Sequence, residues 1–328
     1  MPHWADISYQ DEATLQSSQT QPALTIGTRG SPLAMAQAEE VRDLLSKVHG
    51  LAPDTIAIKV IKTSGDIILD RPLSEVGGKG LFTKEIERAL ETGEIDLAVH
   101  SSKDMSTSLP EGMQICAFLK REDVRDAFIS LVAKSPDHLA EGAKIGTSSL
   151  RRAAQFKRFR KDFRIVGFRG NVQTRLKKLA DGVADATLLA IAGLNRLDQD
   201  HRATLILDER DFPPAPAQGA ICIETRLDDA RTTQLAAALS HRETEIRVLA
   251  ERAFLEKLDG SCRTPIAALS TLEGDRLTLF GQILSPDGSQ AFEAEMTGTR
   301  TDGQQMGFAL GEKLIAEAGP DFIAQFNR

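Results

Sequence analysis

Aromatic side chains with a polar handle are almost absent from this chain: among 328 residues there is one Trp and one Tyr. Both, Trp4 and Tyr9, lie in the first 22 residues, which are polar and irregular and lack the basic start and apolar core of a secretory signal. A disordered tail is expected there. There is no aromatic stacking set, no helix-turn-helix or zinc-finger spacing, and the net charge is -7, so neither nucleic acid nor an anionic membrane is an expected partner. No apolar run approaches membrane-spanning length. Cysteine is scarce as well. Cys116, Cys222 and Cys262 form no Cys-x-x-Cys pair, and none of the six histidines takes a metal or triad spacing with them. No metal centre is expected, a cysteine protease is disfavoured, and a reduced, cytoplasmic compartment fits.

What is present reads as α/β architecture. Leu24-Thr25-Ile26-Gly27-Thr28-Arg29 forms a first strand, and Ser31-Pro32 opens a helix with Ser at the N-cap and Pro in the first turn. Ala34, Ala38, Val41, Leu45 and Val48 give that helix one apolar stripe. Arg29 and Ser31 thus flank a helix N-terminus, which suits an anion. Ile56, Ile58 and Val60 alternate as a second strand. Thr63 to Gly80 reads as a loop ending in Gly77-Gly78-Lys79-Gly80; it lacks the spacing of a phosphate loop and is either a plain turn or a lid with Lys79 reaching an anion. After a helix marked by Leu81, Phe82, Ile86, Ala89 and Leu90 and ending at Gly93, Ile95, Leu97 and Val99 form a strand running into His100-Ser101-Ser102-Lys103-Asp104. Ligands of open α/β sheets sit at the carboxyl ends of strands. Asp104 there can meet a cation or a set of N–H donors, or can simply cap a turn.

The charged segment Lys120 to Asp126 crosses to a second domain that repeats the first one's grammar. Ile145-Gly146-Thr147 ends a strand, Ser148-Ser149 caps a helix, and Arg151 and Arg152 fall in its first turn. Cations there oppose the helix dipole at about 0.3–1 kcal/mol each, so a bound anion is expected to offset them. Ile165 to Phe168 leads to Arg169-Gly170, Asn171 caps a helix carrying Arg175, and the strand Ala186 to Ala190 is followed by Arg196. From Lys144 to Lys178 there are twelve Lys and Arg against one acid, Asp162. The arginines come one by one at strand ends, as suits several small carboxylates in a cleft; Lys157, Arg158, Arg160 and Lys161 read as a solvated face. Phe212 to Gly219 is a Pro-rich linker, and Ile221 and Ile223 return the chain to the first domain, a double crossing of the kind a hinged two-lobed protein needs. Beyond His241 come a helix, the loop Asp259 to Pro265 carrying Cys262, three strands (Ile266 to Thr271, Arg276 to Leu284, Gln290 to Thr297) with tight turns, and a helix from Gln304 to Ala318. Cys116 and Cys222 read as small buried hydrophobes. Cys262, in Gly-Ser-Cys-Arg, is expected to be exposed, with Arg263 lowering its pKa. A thiolate alkylated once, as an attachment point, needs no general base.

Taken in order, Thr28-Arg29-Gly30-Ser31-Pro32-Leu33-Ala34, Val76 to Phe82, His100 to Asp104, Arg125-Asp126-Ala127-Phe128, Gly146 to Arg152, Arg169-Gly170-Asn171, Ala217-Gln218-Gly219-Ala220 and the cysteine loop resemble the porphobilinogen deaminase (hydroxymethylbilane synthase) family from about Leu24 onward. The resemblance implies two periplasmic-binding-protein-like lobes around a cleft plus a small C-terminal α+β domain with a three-stranded antiparallel sheet. The implied division is a tail over 1–22, a first domain over 23–120 and 218–238, a second over 121–217, and a third over 239–328. It implies a monomeric transferase that adds four porphobilinogen molecules head to tail, with loss of ammonia, onto a dipyrromethane cofactor held by a thioether to Cys262. In that case Asp104 is catalytic, stabilising the azafulvene cation and the protonated pyrrole. Lys103, Ser149, Arg151, Arg152, Arg169 and Arg175 bind the cofactor, and Arg29, Ser31, Lys79, Arg196 and Gln218 bind substrate. The acetate and propionate of each pyrrole suit arginine. Ser106, Val124 and Ser261 stand where the family often has Pro, Pro and Gly; none of them removes a reacting group. A non-enzymatic carboxylate-binding protein on the same two lobes would explain the arginines but not Cys262.

Overall fold

The computed structural model describes residues 23–67, 80–258 and 265–326. The tail with Trp4 and Tyr9, most of the expected lid including Lys79, and the loop holding Cys262 lie outside the described residues.

Three sheets organise the chain. The first has the order β2-β1-β3-β10-β4, from β1 (Leu24–Thr28), β2 (Ile56–Val60), β3 (Leu97–Ser101), β4 (Met113–Phe118) and β10 (Ile221–Arg226). The second has the order β7-β6-β8-β5-β9, from β5 (Asp126–Ser130), β6 (Lys144–Gly146), β7 (Arg164–Val166), β8 (Ala186–Ala190) and β9 (Leu205–Ile206). The two share one plan. Three parallel strands are followed by an antiparallel strand that pairs on both sides: β10 between β3 and β4, β5 between β8 and β9. Each of these antiparallel strands directly follows a crossing between the sheets. Central placement explains their near-unbroken burial and why they show no alternation in sequence.

Helices cover the sheets: α1 (Pro32–His49), the short α2 (Ser64–Ile67) and α3 (Lys84–Glu91) go with the first, and α4 (Leu150–Phe159), α5 (Val172–Ala180) and α6 (Ile191–Asn195) with the second. The Ser31 hydroxyl accepts the Ala34 N–H at 3.3 Å, capping α1 as its Ser-Pro start predicts. Ala34, Ala38, Val41 and Leu45 are buried as the stripe requires, but Val48, in the last turn beyond the sheet, is exposed. The expected loop from Thr63 opens instead with the helical turn α2, which Asp66 stabilises by accepting from the Thr63 hydroxyl at 2.8 Å.

After α7 (Ala230–Ala237), the third unit comprises α8 (Arg242–Lys257), the antiparallel meander β11 (Ile266–Glu273), β12 (Arg276–Leu284) and β13 (Ala291–Thr299), α9 (Gly303–Ala318) and α10 (Pro320–Ile323). Helix α8 is buried on two sides. Ile246, Ala250 and Phe254 pack on the meander, while Val248 packs on Met105, Phe118 and Ala217 of the crossing region. Hence its sequence shows more buried positions than a single stripe explains. Among the described residues no helix is long and apolar enough to cross a membrane.

The crossings are buried and fastened, unlike the loose tether a Pro-rich linker suggests. Arg121 on the outward crossing forms a bidentate pair with Glu251 of α8, at 2.7 and 2.8 Å, and donates to the Gln218 carbonyl on the return crossing at 2.8 Å. Glu251 also accepts the N–H of Ala217 and both donors of Ser270, so one buried carboxylate ties the two crossings to the meander. Burial alone would raise its pKa, but the Arg121 guanidinium holds it below the usual range. Gly219 has φ +87°, and a Cβ there would meet the Glu122 carbonyl oxygen at 2.6 Å; only glycine lets the crossings lie this close.

Candidate functional site

The site forms where β3, the crossings and the N-terminus of α4 converge. After Ser101 the chain makes one 3-10 turn, Ser102–Asp104, which carries Lys103 inward and leaves Asp104 exposed. The Lys103 ammonium donates to Gln218 Oε1 at 3.2 Å. Gln218 is completely buried; its Nε2 donates to Asp126 Oδ1 and to the Val124 carbonyl, both at 2.7 Å. Both ends of its amide are engaged, so direct contact with a ligand is not what its geometry offers. Val124 serves through its carbonyl, which any residue at this position supplies.

Asp126, the first residue of β5, is the anchor. Arg152 grips it through Nε (3.0 Å) and Nη2 (2.7 Å), and Arg151 Nη2 donates to it at 2.9 Å. Arg152 Nη1 adds the Leu188 carbonyl, and Arg151 Nη1 adds Gln155 and the Pro213 carbonyl. Ser149 caps α4, accepting the Arg152 N–H at 3.4 Å. The anion expected to offset the two arginines is therefore, in the first place, the protein's own. Burial alone would raise the Asp126 pKa, yet Arg152 and Arg151 hold it well below the carboxylate range. Burial lowers Arg151, and burial beside Arg152 brings Lys103 down to about 8. Arg175, on α5, donates Nε to the Gly170 carbonyl at 2.9 Å; burial and then the charge of Arg152 lower its pKa to about 10, opposed by Asp104.

Lys103, Asp104, Arg151, Arg152, Arg175 and Gln218 thus come together. Four cations there face two carboxylates, and Arg151 Nε is buried with no hydrogen-bond partner among the described residues. A bound group bringing carboxylates fits both facts. Arg169 lies just before Asn171, the cap of α5, and its carbonyl takes Lys178 Nζ at 3.0 Å. Arg29 and Arg196 are held by other partners. Arg29 pairs with Asp66 and stacks on Phe82, 4.2 Å from the ring centroid. Arg196, at the end of α6, donates to Glu40 of α1 (3.2 Å) and to the Gly219 carbonyl (3.1 Å).

Four groups with clear positions here had no role assigned from sequence: Asp126, Arg121, Glu251 and Arg252. The last, on α8, donates to the carbonyls of Met105 (3.4 Å) and Ser106 (2.6 Å), fixing the loop that follows Asp104. Ser106, like Val124, acts through its backbone. One signal pointed to Asp126: an acid opening an otherwise apolar strand is a buried charge in need of cations.

Two mixed sheets joined by a double crossing, a buried cationic cluster at the junction and an added α+β unit define an α/β protein with a site suited to anionic groups. The model for "Porphobilinogen deaminase, dipyromethane cofactor binding domain" matches residues 24–234, and that for "Porphobilinogen deaminase, C-terminal domain" matches residues 245–316. The porphobilinogen deaminase of Paracoccus denitrificans (strain Pd 1222) is 57% identical over 308 residues, covering 94% of this chain and 98% of that protein. That of Nitrobacter hamburgensis is 54% identical over 310 residues, with the same coverage. The chain belongs to the porphobilinogen deaminase family. Solved structures similar in shape include a periplasmic substrate-binding protein of an ABC transporter from Coxiella burnetii, with TM-score 0.42 and 15% identity over 66% of this chain and 91% of that one. The methionine binding protein MetQ gives TM-score 0.43 and 13% identity over 66% and 89%.

Proposed function

We propose that the chain is a hydroxymethylbilane synthase: it joins four porphobilinogen molecules head to tail, releases ammonia, and delivers the linear tetrapyrrole of porphyrin and heme biosynthesis. The observation that carries this reading is the cluster of Lys103, Arg151, Arg152 and Arg175 around buried Asp126, with exposed Asp104 beside it. When bound, dipyrromethane supplies the pyrrole carbon to which the first substrate is joined. Arg151, Arg152, Arg175, Arg169 and Lys103 hold its acetates and propionates, with Ser149 at the same helix start; each charge-assisted bond contributes about 1.5–3 kcal/mol. Gln218 positions Lys103. Arg29, Ser31, Lys79 and Arg196 take carboxylates of the incoming substrate. Asp104 accepts pyrrole N–H groups and stabilises the positive charge that develops on the substrate as ammonia leaves. The chain divides into domains over 23–120 with 218–238, 121–217 and 239–328, and works as a cytoplasmic monomer.

Cys262 is the attachment point. It follows α8 in the sequence, and Arg252 of that helix is fastened to the segment after Asp104. The intact mass of the purified protein should exceed that of the polypeptide by two linked pyrroles, and Cys262→Ser should weigh only its sequence. Pyrrole still bound covalently to Cys262→Ser would place the attachment elsewhere.

Lys103 supplies a second test. With a pKa of about 8 its charge is complete below that pH and lost above it. Uptake of the cofactor by the cofactor-free chain should therefore slow as pH rises through about 8, whereas in the loaded enzyme the acetates and propionates beside Lys103 hold its charge to higher pH. Lys103→Arg, always protonated, should carry that slowing to higher pH. An unchanged alkaline limb in the variant would assign the slowing to another group.

A further inference from the structure

We propose that Glu40 is an affinity-determining residue: it occupies Arg196 from across the two lobes, in the place of a substrate carboxylate, and must release it before substrate can bind there. The proposal rests on the reading above that Arg196 takes a carboxylate of porphobilinogen.

Among the ion pairs of the described residues, Glu40–Arg196 alone joins a helix of the first sheet to one of the second. The helices meet along one face of α1. Gly193 of α6 lies against Leu33, where an added Cβ would stand 3.3 Å from Leu33 Cδ2. Glu40 follows seven residues later on the same face, two helical turns along. The end of α6 is also held by contacts that do not compete with a ligand: Asn195 Nδ2 donates to Glu122 Oε1 at 3.1 Å, and Arg196 Nη2 donates to the Gly219 carbonyl. Arg196 therefore has a fixed half, set by backbone, and an exchangeable half, set by Glu40.

Glu40 is more exposed than the carboxylates that hold Arg29, Arg121, Arg151 and Arg152. The side chains of Asp126 and Glu251 are completely buried, and that of Asp66 is 29% exposed, whereas that of Glu40 is 40% exposed. Arg196 is only 10% exposed, but its partner carboxylate stands partly in water, so Glu40 can turn out to solvent and leave its place to a second carboxylate in the same geometry. The contact thus holds the lobes together before substrate arrives and yields to an acidic ligand, so part of the ligand's binding energy goes into breaking it.

The test is steady-state kinetics of the cofactor-bearing enzyme with porphobilinogen as the probe. Glu40→Gln keeps shape and polarity and removes the charge. It should lower KM by about two- to fivefold, the range for losing a pair whose carboxylate is partly exposed, with kcat unchanged. Arg196→Gln should raise KM, and adding Glu40→Gln to it should change nothing further, because the two act through one contact. If Arg196→Gln raises KM while Glu40→Gln leaves KM unchanged or raises it, the latch is overturned and the role of Arg196 stands. If Arg196→Gln leaves KM unchanged, the role of Arg196 falls, and the latch with it.

Discussion

Asp104→Asn is expected to leave the fold intact and to lower kcat by about a hundredfold or more, the scale for losing one preorganised electrostatic group. The fold should survive because the side chain is exposed and no core is built on it. Asparagine keeps an oxygen that can accept a pyrrole N–H, so the loss isolates the charge from the hydrogen bond. The neighbouring acid cannot substitute. Asp126 is buried under two guanidinium groups and an amide, and its charge is already spent. Asp104 is the carboxylate of the cluster that stands open to a developing cation. The measurement is turnover of porphobilinogen by the cofactor-bearing variant, with thermal unfolding as the control. Turnover near that of the parent, at equal stability, would remove Asp104 from the chemistry.

Local chemistry made much of the architecture legible. Ser31-Pro32, Ser149 and Asn171 mark helix starts because a short polar side chain can satisfy a free N–H from there, and each does so. The meander was visible from its alternation and its turns, and the return of β10 to the first sheet from the linker before it. What stayed hidden has one cause: contacts between segments far apart in the chain. Arg121 and Glu251 are 130 residues apart, and each alone reads as a surface charge. Asp126 and Gln218 are separated by 92 residues. Arginines at strand ends suggested open hands for a ligand. No periodicity tells which of them the protein already holds, as Asp66 holds Arg29 and Glu40 holds Arg196. The contacts of the linker were hidden for the same reason: its prolines mark a crossing, but not that the carbonyls of Pro213 and Pro214 receive Arg151, Gln155 and Ala268. Burial of α8 on two sides likewise follows from what lies around it, which its own sequence does not record.

The largest effect on stability is expected from Asp126→Asn. The parent carboxylate accepts four hydrogen bonds, three from guanidinium groups that are themselves almost fully buried. The variant leaves Arg151 and Arg152 without a counterion in a place water does not reach, and turns an amide N–H toward one of them. Breaking a buried pair from one side costs about 3–5 kcal/mol. The denaturant midpoint of the variant should fall accordingly at neutral pH, and the purified protein should carry little or no cofactor mass because the arginines that would grip it are displaced. The pH dependence gives the mechanism away. Asp126 has a folded pKa far below its unfolded value, so its contribution is complete above that unfolded value, about 3.9, and is lost as the pH falls below it. The gap between parent and variant should therefore be wide at pH 7 and narrow steadily as acidification approaches and passes pH 4. A variant as stable as the parent at pH 7 would mean that the two arginines find water or another acid. A gap that stays constant down to low pH would mean that Asp126 acts by shape and not by charge. Either result would remove the charge of Asp126 from the centre of the site.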